Sequence, residues 1–270
     1  MPPFGRRRMG GMGRPRRRFG RGEPLPEPDD EFDFSDDEED DPDDDDAGDL
    51  AAAADAFTAR TGVRLHARIA DDDEDDAAEQ EAKGPVDAPI ALRALPVIER
   101  TVLHYPQAVR GNLLRHLHLY GRFQMRGIPF LGCARPHAAR VNLAVRRRTP
   151  MESLQRTLHH EIGHLVEMHP SFPEAAWLAL NTTSYSGRGH RDRAGKHAGP
   201  EVWRDGFITA YASKNRHEDF AELAELAFTQ PRRALHAAQG SHVLAAKLDL
   251  MAQVYDRMAP GVVLPWTRGG

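Results

Sequence analysis

Cysteine is nearly absent: Cys133 is the single one in 270 residues, so no intrachain disulfide can form. That usage fits a reducing, intracellular compartment, cytoplasm or nucleus. Cys133 itself reads as a small buried apolar residue. No apolar run approaches the ~18 residues that a membrane span requires. The basic N-terminus has no hydrophobic stretch behind it, so no secretory signal is expected. The first 22 residues contain no acid but eight arginines, in FGRRRMGGMGRPRRRFGRG.

What is present is unevenly distributed. Residues 23–81 hold 26 of the 41 acidic residues, in runs such as DDEEDDPDDDD and DDDEDD. From 82 to 270 there are 25 Lys+Arg against 15 Asp+Glu. The formal net charge of −5 therefore averages an acidic tail and a folded part near +10. Residues 1–22 are expected to be an Arg/Gly-rich disordered segment. Residues 23–83 are expected to be acidic low-complexity chain, mostly disordered, because they cannot bury enough apolar surface to offset chain entropy. One island, LAAAADAFTARTGVRLHARIA, has helical propensity. Residues 84–270 suffice for a single domain with its own core.

Within that domain the pattern predicts an α+β fold. From Ile90 to about Phe123 the text reads as helical, with IALRALPVIERTVLHYP broken at Pro96 and Pro106, then QAVRGNLLRHLHLYGRF. MRGIPFLGCARPHAARVNLAVRRR predicts two or three strands, VNLAV the clearest. Thr149-Pro150-Met151-Glu152 offers a Thr N-cap, Pro at the first helical position and a capping-box Glu. The helix it starts should run to about Met168 and stop before Pro170.

That helix carries LHHEIGHLVE. Read from His160 it is His-Glu-x-x-His, in which two imidazoles one turn apart face one Zn²⁺ ion. Glu161, rotated by about 100° from His160, sits beside the metal as a general base rather than on it. His159 is outside the register. Gly163 weakens the helix by about 1 kcal/mol against Ala, which points to a close approach by another backbone or a substrate. The five-residue pattern is short enough to arise by chance, and the competing reading is a histidine-bearing polar helix face.

Zinc needs a third protein ligand. The extended pattern with a third histidine is excluded, because Glu167 and Pro170 stand where Gly and His would be required. His169, His190, His197 and His217 remain candidates, as does Glu218 in GFITAYASKNRHEDFAELAELAF. There Asn215 starts a helix with Glu218, Glu222 and Glu225 along one face. Glu218 would complete the ligand set, and Glu222 would accept the ring N–H of a liganding histidine. A capping-box glutamate three residues after an Asn N-cap is the alternative for Glu218.

HEIGH followed by YASKNRHEDFAE resembles the C-terminal protease domain of anthrax lethal factor and, more closely, bacterial zinc-binding metallopeptidases with the same ending. AAWLALNTTSYSG is similar to their connecting segment, and the resemblance covers roughly residues 90–230. It implies a zincin-like domain: a small sheet packed on the HExxH helix, then a helical subdomain carrying the third ligand. It implies that His160, His164 and Glu218 hold one Zn²⁺ and that Tyr211 stabilises the oxyanion. Asn215 and Glu222 match the supporting positions. The activity so implied is that of a gluzincin, a metalloendopeptidase rather than an exopeptidase, acting as a monomer on protein or peptide substrates. A second reading uses the Arg/Gly segment, with Phe4 and Phe19, and the basic domain to bind nucleic acid or chromatin, the zincin-like fold serving as scaffold.

Overall fold

A computed structural model describes residues 44–67, 81–125, 127–181, 184–187 and 203–267. Residues 42–270 form one unit. The readings placed on residues 1–43 and 68–80, and the basic loop with His190 and His197, lie outside the described residues. Among those described, no helix is long and apolar enough to cross a membrane.

The fold is a mixed α+β arrangement. Helix α1 (Asp44–Thr61) leads into strand β1 (Arg64–His66); β2 (Glu81–Gly84) precedes helices α2 (Ala88–Leu103) and α3 (Gln107–Asn112). Strands β3 (His116–Tyr120), β4 (Arg122–Met125), β5 (Ile128–Pro129), β6 (Gly132–Arg135) and β7 (Arg140–Ala144) follow. Helices α4 (Met151–Glu167), α5 (Glu174–Leu180), α6 (Arg216–Thr229), α7 (Pro231–Gln239) and α8 (His242–Met258) complete it. The larger sheet has the order β1-β3-β7-β6. Its first three strands are parallel, and β6 is an antiparallel edge. Strands β2, β4 and β5 form a small antiparallel sheet.

The helical island is α1 with β1, and it belongs to the fold that was expected to begin at 84. Leu50, Phe57, Val63 and Leu65 enter the same core as α2 and the sheet, each large side chain contributing about 1.5–3 kcal/mol on burial. Three local expectations differ from the structure. Pro96 does not break α2, which runs through it. Pro96 sits on the exposed side, where the carbonyl that loses its N–H partner can meet water. HLHLY is a strand, not helix: Leu117 and Leu119 point into the core while His116 and His118 alternate with them. Helix α4 starts one residue later than its capping box required. Pro150 holds the N-cap position without a side-chain bond, because the Thr149 hydroxyl instead accepts the Arg146 N–H at 3.0 Å.

The apolar face of α4 (Leu154, Leu158, Ile162, Leu165) packs into one cluster with Val141 and Leu143 of the sheet and Phe220, Leu223 and Leu226 of α6. Helix α4 thus lies between the sheet and α6, and its remaining face turns toward a cleft.

Candidate metal centre

Two helices and one strand build the cleft. It has a volume of about 850 Å³ and is lined by β6, by His160, Glu161 and His164 of α4, and by Glu218 of α6. Asn215 caps α6 through its side chain, accepting the Glu218 N–H at 3.0 Å. The cap and the acidic role are therefore compatible, since the backbone of Glu218 serves the cap while its carboxylate points into the cleft.

His160 Nε2 and His164 Nε2 stand 3.1 Å apart. Glu218 Oε2 lies 3.3 Å from His160 Nε2 and 3.6 Å from His164 Nε2. Ligand atoms about 2.0–2.1 Å from a tetrahedral ion are separated by about 3.3 Å, so these spacings suit one small cation. Glu218 Oε2 is also buried without a hydrogen-bond partner. A buried carboxylate oxygen in that state is costly unless a cation answers it. Two nitrogens and one carboxylate oxygen form a donor set that zinc accepts, so the residues present fit the metal.

The other side of His160 is equally organised. Its Nδ1 lies 3.3 Å from Glu222 Oε1 and 3.8 Å from Glu225 Oε2. The second oxygens are occupied: the Thr209 hydroxyl donates to Glu222 Oε2 at 2.8 Å, and Arg156 Nε to Glu225 Oε1 at 2.6 Å. Burial alone pushes the His160 imidazolium down, but the Glu218 and Glu222 carboxylates outweigh it and hold its pKa well above 6.5. Burial likewise raises Glu218, yet His160 and His164 hold it far below the usual carboxylate range. Burial raises Glu225, reinforced by the neighbouring Glu222 charge. The cluster is a negative field wrapped around an imidazole, and a cation entering it would release the His160 proton.

Glu161 Oε2 accepts the Ala134 N–H of β6 at 2.7 Å. Strand β6 comes this close because residue 132 is glycine: a methyl there would stand 2.6 Å from Thr157 Cγ2 and 2.8 Å from Glu161 Cγ. Cys133, read from sequence as buried, is half-buried and lines the cleft. The Tyr211 hydroxyl donates to Glu218 Oε1 at 2.8 Å, and Lys214 Nζ reaches the same oxygen at 3.2 Å.

Of the histidines left open as ligands, His169 Nδ1 faces the Ser171 hydroxyl at 2.7 Å and His217 pairs with Glu167. Neither joins the group made by His160, His164 and Glu218. Gly132, Thr209, Arg156 and Lys214 carry no motif; Thr209 and Lys214 flank Tyr211 and were reachable only by neighbourhood.

Behind the cleft a buried ion pair fixes α6. Lys247 Nζ of α8 lies 2.7 Å from Asp219 Oδ2 and donates to the Gly206 carbonyl at 2.6 Å. Trp177 Nε1 and the Tyr185 hydroxyl donate to the same Asp219 oxygen at 3.0 and 2.8 Å. Asp219 follows Glu218 directly, so this network orients the turn that presents Glu218.

No curated protein and no solved structure matches the chain. Both chemical motifs, the His-Glu-x-x-His of α4 and the Glu218 segment of α6, fall within residues 133–253, from β6 through most of α8, a segment that matches a family described as "Putative zinc-binding metallo-peptidase".

Proposed function

We propose that the protein is a zinc metalloendopeptidase of gluzincin type, built on a zincin-like domain. The observation that carries this reading is the convergence of His160 Nε2, His164 Nε2 and the unpartnered Glu218 Oε2 on one point of an open cleft. His160, His164 and Glu218 would hold one Zn²⁺. When bound, the ion supplies Lewis acidity, lowering the pKa of a water toward about 7 and polarising a carbonyl. Glu161, buried to 8 % exposure beside β6, takes the proton of the attacking water and passes it to the departing amine. The Tyr211 hydroxyl, which donates to Glu218 Oε1 in this structure, would turn its O–H to hydrogen-bond the developing oxyanion. Glu222 accepts from His160 Nδ1 and is itself held by Thr209, which fixes the ring and its tautomer. Strand β6 is a sheet edge alongside Glu161, so an extended peptide can add to it by backbone pairing and bring its scissile bond over the base.

The test is hydrolysis of a peptide library by the zinc-loaded protein. Internal cleavage should disappear on chelation, return with zinc, and be absent from the Glu161→Gln variant. Undiminished cleavage by that variant would refute the mechanism.

A further inference from the structure

The sheet face turned away from α4 carries a second constellation. Along β3 the leucines Leu117 and Leu119 enter the core, so His116 and His118 emerge on the opposite side. Parallel pairing sets His66 of β1 directly beside His118, and His118 beside Asn142 of β7. His66 Nε2 lies 3.1 Å from His116 Nδ1, and one ring nitrogen of each of His66, His116 and His118 falls within 4.8 Å of the others. The 3.1 Å separation is that of ligand atoms around one ion, and the His118 ring lies within reach of the same point.

Two further observations point to a ligand there. Asn142 is fully buried, and neither its Oδ1 nor its Nδ2 has a hydrogen-bond partner. A buried amide in that state costs about 1–3 kcal/mol unless something polar occupies the space beside it. The Tyr120 hydroxyl lies 3.3 Å from His118 Nδ1, a contact of the kind that orients a liganding imidazole.

The surroundings select the chemistry. The sequence has no carboxylate between Glu99 and Glu152. Among the described residues the donors are three imidazoles with no acid, a set that suits zinc, copper or nickel and not magnesium or calcium.

We propose that His66, His116 and His118 form a second metal site, for a transition-metal dication of the zinc class, which clamps edge strand β1 and hence α1 to the sheet. It lies outside residues 133–253 and shares no residue with the His160 centre. The inference is independent of the peptidase reading.

The full-length protein, stripped of metal, loaded with Zn²⁺ and desalted, should retain two equivalents. His66→Gln with His116→Gln, both at half-buried positions, should retain one equivalent with peptide hydrolysis unchanged. His160→Ala with His164→Ala should also retain one, and Zn²⁺ should still raise the melting temperature of that chain. Adding His66→Gln and His116→Gln to it should abolish both the equivalent and the thermal shift. The proposal is overturned if the His66/His116 variant holds as much zinc as wild type, or if the His160/His164 variant holds none. A wild-type protein that holds a single equivalent, kept by the His160/His164 variant and lost by the His66/His116 variant, would count against the peptidase reading and leave this one standing.

Discussion

Gly163 of α4 faces the backbone of Ala221 of α6 so closely that a methyl at 163 would stand 3.0 Å from the Ala221 Cα. The contact sets how near Glu218, one turn before Ala221, comes to His160 and His164. A glycine that weakens its own helix is thereby explained by the helix laid against it. Gly163→Val would force the helices apart. It should cost about 1–3 kcal/mol in chemical denaturation and weaken zinc retention at the His160 centre. A variant with wild-type stability and zinc content would show that the close approach does not govern the site.

Glu222 is outside the His160, His164 and Glu218 set but sits 3.3 Å from His160 Nδ1. Glu222→Ala should lower zinc affinity about 10–100-fold, measured by competition with a chromophoric chelator. Thr209→Val, which removes the bond to Glu222 and the one accepted from the Ala212 N–H, should give a smaller loss in the same direction. Equal affinity in all three proteins would deny Glu222 its orienting role.

Lys247 and Asp219 are both buried, at 0 % and 1 % side-chain exposure. Lys247→Met strands the Asp219 carboxylate and should cost about 3–5 kcal/mol. Adding Asp219→Asn should recover part of that loss, because the uncompensated charge is then gone. The urea midpoints of single and double variants decide it; a double variant less stable than the single would contradict the charge argument.

Burial raises the pKa of both Tyr105 and Tyr255 well above 10. A raised folded-state pKa contributes stability that is complete below the unfolded value of about 10 and is lost as pH rises past it. The melting temperature should therefore fall as pH climbs through about 10, with the fall shallower in Tyr255→Phe. An unchanged slope in that variant would assign the alkaline loss elsewhere.

How much of this was legible beforehand differs by residue. The register of His160 and His164 is a local, helical spacing, and Asn215 with Glu218 is a local cap, so both could be read along the chain. Their meeting could not be derived from spacing and came only through resemblance. HLHLY misled because Leu113, Leu114 and Leu117 give helical spacing while Leu117 and Leu119 alternate as in a strand. Pairing with β7 decides between them. Arg156 with Glu225, and Lys247 with Asp219, join positions far apart in the chain. In a sequence such residues look like ordinary charges on helix faces. The three histidines on β1 and β3 were invisible for the same reason, since only strand register sets His66 beside His118.

The account stands on Glu218 as the third ligand and Glu161 as base, and zinc content measured beside hydrolysis separates the two roles. Glu161→Gln should bind as much zinc as the wild type and cleave no peptide. Glu218→Ala should lose one equivalent of zinc together with the activity. Full zinc retention by Glu218→Ala would contradict the central claim.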